Sequence, residues 1–98
     1  MSSVTMFSIV EVGHGEDDRF IQFFKEVRAY FSKQPGFIRN QLYRTPNPLS
    51  TRRFMVVGTW ESTKALNAAT GSEEWKKLMA GHQMNLNPMP FEEVSFET

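Results

Sequence analysis

Two stretches of this chain, Thr5–Val12 and Arg52–Trp60, are rich in β-branched and large apolar residues, as strands are, yet are apolar on both alternating sides. Phe7 and Ile9 oppose Met6 and Val10, and Phe54, Val56 and Trp60 oppose Met55 and Val57. A solvated sheet has one polar face, so such strands need cover above and below. Helices of the same chain can supply one cover. A contiguous apolar patch on the other face is rarely left in water, so a second copy of the sheet, in a two-fold homodimer, is the expected partner.

The remaining elements fall around these two strands. Phe20, Phe23, Phe24, Val27, Tyr30 and Phe31 recur at helical spacing and predict a helix from Asp17 to about Ser32. Acidic Glu16, Asp17 and Asp18 suit its positive end, and Pro35-Gly36 stops it. Phe37–Arg44 alternates as a strand, with Ile38, Asn40 and Leu42 expected toward the helices and Arg39, Gln41 and Tyr43 away from them. Thr45 to Thr51 reads as a loop. Ser62 caps a short helix through Ala69, Gly71 breaks it, and Ser72-Glu73-Glu74 caps another carrying Trp75, Leu78 and Met79. Asn85 to Pro90 reads as a loop, and Phe91 to Phe96 as the last strand. The order β, α, β, β, α, β is that of an α+β, ferredoxin-like split βαβ unit: a four-stranded antiparallel sheet with its helices on one face. With 98 residues, one domain spanning 1–98 is expected.

Charge and composition remove several classes of function. Eleven basic and eleven acidic residues cancel, so no long-range field favours nucleic acid or anionic lipid. The absence of cysteine removes disulfides, a thiolate nucleophile and zinc–thiolate sites. Neither a basic-then-apolar leader in Met1–Thr5 nor an apolar run of about 20 residues is present, so a cytoplasmic protein without a membrane partner is expected. His14 and His82 sit on separate segments with no close carboxylate spacing, which argues against a metal, and there is no glycine-rich phosphate loop. No cofactor is expected.

Several short pieces, in order, carry a family likeness. Pro35-Gly36-Phe37 enters the second strand, Arg53-Phe54 opens the third, Trp60-Glu61-Ser62 closes it, Ala65-Leu66 follows, and Phe91-Glu92 begins the last. Together they resemble the antibiotic biosynthesis monooxygenase (ABM) domain family of dimeric α/β barrels. The resemblance implies a homodimer and a pocket between sheet and helices. It also implies one of several activities: oxidation of anthrones or quinols without metal or flavin, haem degradation, or no settled activity. Quinone-forming relatives carry an asparagine and a tyrosine where this chain has Val56 and Leu66. Haem-degrading relatives use an asparagine in the first strand, a second tryptophan and a histidine. This chain has no asparagine between Val4 and Val12, and Ala69 and Met79 stand at the other two places. Only Trp60 is shared.

The candidate site follows from alternation. If Phe54, Val56, Gly58 and Trp60 face the helices, they meet Asn40 across the hairpin, with Phe24 and Met79 in the layer above. Such a surface suits a flat aromatic or small carbonyl ligand, Trp60 forming one wall and Gly58 allowing a close approach to the backbone. The same side chains also suit plain core packing. Asn40 costs free energy on an apolar face unless it is hydrogen-bonded, so it either holds a substrate oxygen, bonds to nearby backbone or sits at a sheet edge. His82 has the side chain whose free pKa lies nearest neutrality, which suits a proton acceptor, and a helix C-terminus also favours it without catalysis. Arg39, Arg44, Arg52 and Arg53 gather at one hairpin, to bind an anion or to guard a strand edge. The leading expectation is a cofactor-free monooxygenase of a quinol- or anthrone-type substrate, with Asn40 orienting an oxygen and His82 taking a proton. The alternatives are a non-catalytic, ligand-binding or stress-associated dimer, and a cofactor-free isomerase or degrading enzyme of a small carbonyl compound.

Overall fold

The computed structural model describes residues 3–46, 52–82, 86 and 88–96. The chain runs β1 (Val4–Val12), α1 (Asp17–Phe31), β2 (Phe37–Arg44), β3 (Arg52–Trp60), α2 (Thr63–Thr70), α3 (Glu73–His82) and β4 (Met89–Phe91). The four strands form one antiparallel sheet in the order β2-β3-β1-β4, the ferredoxin-like arrangement expected from the sequence. Most of the loop expected at Thr45 to Thr51, and part of that at Asn85 to Pro90, lies outside the described residues.

The helices cover one face only. On that face, β3 buries Phe54, Val56 and Trp60 and β1 buries Val4, Met6 and Val12. The stripe of α1 packs onto them: Phe20, Phe23, Phe24, Val27, Tyr30 and Phe31 are all buried. Phe31 is a hub, stacked on Trp75 at 5.0 Å and edge-on to Trp60 at 5.0 Å. Serines cap the two short helices as expected, the Ser62 hydroxyl accepting from the Ala65 amide at 3.1 Å and that of Ser72 from the Trp75 amide at 3.1 Å. Tyr30 ties α1 to the turn between them, its hydroxyl donating to the Ala69 carbonyl at 2.7 Å and meeting the Ser72 hydroxyl. Gly36 is needed at the α1–β2 turn for two reasons. Its φ is +87°, and a Cβ there would lie 2.5 Å from that of Ala65.

Two expectations fail, each for a reason of pairing. Phe37 pairs with Trp60 and Arg39 with Thr59, so Ile38 is the extra residue of a bulge. It is 46% exposed instead of facing the helices, and Phe37 takes the packing place against Trp60, at 5.3 Å. The last strand is Met89–Phe91, not Phe91–Phe96. Phe91 lies opposite Thr5, and β1 begins at Val4, so the strand that residues 92–96 would pair with has run out. Pro90 is tolerated because β4 is an edge strand, where a missing N–H leaves no ladder partner bare.

The other face of the sheet is open. It carries Phe7, Ile9, Tyr43, Met55, Val57 and Phe91, and Ile9 at its centre is 65% exposed. The molecule is 16 Å thick along its shortest axis, the depth of one sheet and one helical layer.

Candidate functional site

Asn40 on β2 and Gly58 on β3 are register partners, on the face that the helices cover. Asn40 is 8% exposed, and among the described residues neither its Oδ1 nor its Nδ2 has a hydrogen-bond partner. Trp60, two residues beyond Gly58, is fully buried, and its indole Nε1 is likewise without a partner. Both groups neighbour Gly58, Asn40 as its partner across the ladder and the indole N–H on its own strand. A Cβ at Gly58 would stand 3.5 Å from Trp60 Nε1 and 3.0 Å from Met6 Sδ, so the bare backbone makes room for the indole N–H and the methionine.

The energetics make this cluster unusual. A buried polar group without a partner costs about 1–3 kcal/mol, and native proteins keep few of them. Here one side-chain amide and one indole are unsatisfied at neighbouring positions. Between them they offer three N–H groups and one carbonyl oxygen. That set can hold a carbonyl or phenolate oxygen between two donors, or accept from a hydroxyl.

The structure therefore brings Asn40, Val56, Gly58 and Trp60 together on adjacent strands. Phe54 lies on the same face nearer the other end of β3, its ring 4.7 Å from that of Phe20. Phe24 on α1 and Met79 on α3 are buried in the helical layer. Val56 and Leu66, at the positions where quinone-forming relatives carry polar residues, are buried core.

His82 stands apart. It ends α3, where its Nε2 lies 2.8 Å from Glu26 Oε2, and its ring meets Phe23 edge-on at 5.1 Å. Arg19 donates to its carbonyl at 3.2 Å. Rings of Phe23, Phe20 and Phe54 lie in sequence between it and β3. His14 is exposed in the turn after β1. The hairpin arginines are mostly engaged within the chain: Arg52 Nε meets Asp17 Oδ2 at 2.6 Å, with Arg44 3.8 Å from the same oxygen, and Arg53 binds Glu11 at 3.1 Å. Only Arg39 of the four lacks an ion pair among the described residues.

Sequence reasoning passed over Ser8. It is buried on the helix-covered face of β1, opposite Val56 and one row from Gly58. The signal was the alternation of β1 itself, which puts a hydroxyl between Met6 and Val10 on an apolar face. A cavity of about 220 Å³ opens in the same layer at the far end of β1, between Val10, Val12, Phe20, Phe23, Arg19 and Leu86.

Comparison with known proteins fixes the family. The model of the antibiotic biosynthesis monooxygenase family matches residues 4–81. The chain belongs to that family. Solved structures similar to this ABM protein share its fold at low identity. SnoaB of Streptomyces nogalater, a cofactor-independent oxygenase, is 19% identical with a TM-score of 0.76, the match covering 100% of this chain and 97% of that one. A conserved protein of Methanosarcina mazei Go1 is 12% identical with a TM-score of 0.77, covering 96% and 95%. A conserved protein of Bacteroides thetaiotaomicron is 20% identical with a TM-score of 0.75, covering 94% and 98%. No curated protein matches the sequence of this ABM chain. None of its described helices is long and apolar enough to cross a membrane.

Proposed function

We propose that this protein is a cofactor-independent monooxygenase of a small aromatic substrate of quinol or anthrone type. The observation that carries the reading is that the buried Asn40 amide and the buried Trp60 indole N–H, both next to Gly58, have no hydrogen-bond partner among the described residues. In such a reaction the substrate first loses a proton, and the resulting electron-rich anion reduces dioxygen directly. Donors aimed at the oxygen that gains charge lower the barrier most in a water-free site. In this reading Asn40 Nδ2 and Trp60 Nε1 take that role. For an anthrone, two C–H bonds break at the reacting methylene and one C=O forms. Dioxygen takes up the four electrons, leaving one atom in the product and the other in water.

His82 is the proton acceptor in this reading. The Glu26 carboxylate holds its Nε2 and so orients the ring, an arrangement suited to a base. Because the rings of Phe23, Phe20 and Phe54 lie between His82 and β3, this role requires that they move aside when substrate binds or that a chain of waters passes them. SnoaB, with the same fold, works without a cofactor, and that supports the same economy here. The open apolar face of the sheet supports a homodimer, with each copy covering the other.

One observation favours a second reading. Val56 and Leu66 replace the polar pair of quinone-forming relatives and serve as core, which suits a dimer that binds a ligand without turning it over. Oxygen uptake separates the two. The purified protein, given a panel of reduced quinones and anthrones, is expected to consume oxygen at a rate that collapses in Asn40→Leu. No protein-dependent uptake across the panel, with binding retained, supports the binder. Loss of the carbonyl compound without uptake points to isomerisation or breakdown.

A further inference from the structure

The helix-covered side of β1 carries Val4, Met6, Ser8, Val10 and Val12. Met6 alone among them is long and unbranched, in a position where a strand ordinarily favours a β-branched residue. It stands in one row with Gly58 on β3 and Asn40 on β2 to one side, and with Pro90 on β4 to the other. Partners across a ladder share a face, so these four positions lie side by side. The methionine leans over the glycine. Its Sδ and Cγ would lie 3.0 and 3.2 Å from a Cβ built on Gly58, and Met6 is fully buried. The Trp60 Nε1 borders the same space, yet it has no hydrogen-bond partner among the described residues. The thioether fills the ground beside a bare donor without satisfying it.

We propose that Met6 is a displaceable plug that selects the substrate by shape: the substrate's oxygen-bearing edge takes the place in front of Gly58, and the thioether swings toward Pro90. This deepens the oxygenase reading given above and rests on it. An oxygen that accepts from Trp60 Nε1 beside Gly58 has to enter the space where the methionine now lies. Methionine turns about several side-chain bonds, so it can vacate that space while the strand stays still. The route is open on one side. Pro90, the Met6 partner on β4, is exposed, and the flanking Val4 and Ser8 are short. What replaces a thioether chain must be comparably narrow. The geometry thus points to a fused aromatic ketone or phenol with no substituent next to its oxygen, since a group there would meet the indole or the β3 backbone.

Isotope labelling of the methionine methyl groups reads the plug directly, and Met6→Leu assigns its signal. Adding an anthraquinone to the labelled parent is expected to shift the Met6 resonance, with binding followed independently by tryptophan quenching. An unmoved resonance at saturation overturns the displacement. Selectivity has its own readout. The parent should bind the anthraquinone about ten-fold more tightly than the same molecule methylated beside its carbonyl, and Met6→Ala should bring the two within about two-fold. That ratio cancels a general loss of stability, and the labelled parent still decides if Met6→Ala fails to fold. A ratio unchanged in Met6→Ala overturns the selecting role, while oxygen uptake by the parent leaves the oxygenase reading standing. If no quinone binds either protein and none of the reduced forms drives uptake, the oxygenase reading fails and the plug fails with it.

Discussion

Asn40 lies directly across the β2–β3 ladder from Gly58, so its amide stands beside a position where no side chain rises to meet it. A leucine at position 40 would satisfy the fold more cheaply. The ligand-free chain therefore carries a cost at this position, and the cost can be measured.

Replacing Asn40 by leucine removes a buried amide without a partner and leaves apolar neighbours on both sides. The ligand-free protein should gain about 1–3 kcal/mol of stability. Oxygen uptake should fall at least ten-fold. Thermal unfolding and uptake on the same samples check both halves, and a variant less stable than the parent contradicts the first.

Gly58→Ala places a methyl group 3.0 Å from Met6 Sδ and 3.5 Å from Trp60 Nε1. The methionine is flexible and can give way, so the expected stability cost is only about 1 kcal/mol. The loss of ligand affinity should be far larger, because the methyl crowds the indole donor. Titration by tryptophan quenching with an anthraquinone tests this, and equal affinities refute it.

His82 is held by a carboxylate that is nearly half exposed, so the pair contributes little to folding, about 1 kcal/mol at most. As a proton acceptor its removal should cost 10²–10⁴ in rate. His82→Ala should therefore unfold near the parental temperature while turning over far more slowly. Glu26→Gln, which leaves the imidazole in place, should lie between the two. A His82→Ala protein with the parental rate removes this residue from the mechanism.

Gly36→Ala meets two obstacles at once, a left-handed backbone and the Ala65 methyl group. The strain alone costs about 1–3 kcal/mol, and the overlap adds to it. Chemical denaturation should show a loss beyond that range. A neutral substitution would mean that the turn between α1 and β2 rearranges freely.

Ile9→Asp puts a charge at the centre of the open face, where it is harmless to a single chain in water. Sedimentation should show the parent as a dimer and the variant as a monomer at micromolar concentration. Met55→Lys is expected to act in the same way.

Much of this was legible because alternation is strict inside a strand. Once Phe54, Val56 and Trp60 faced the helices, Gly58 had to face them too, and the ladder brought Asn40 alongside. The stripe of α1 and the serine caps of α2 and α3 were equally plain. The bulge at Ile38 was not, since nothing in Phe37-Ile38-Arg39 marks it and it arises only from pairing with β3. The place of β4 depends on where β1 begins, which the last strand's own sequence does not encode. The partner of His82 lies on another helix, and contact between helices is set by packing rather than by spacing along the chain.

Phe31 stacks flat on Trp75 and meets Trp60 at right angles, so the two tryptophans are mechanically joined through one ring. In an interior packed this closely, a molecule that nudges the first indole cannot leave the second undisturbed. The emission of Trp75, on α3, thereby becomes a built-in optical gauge of occupancy.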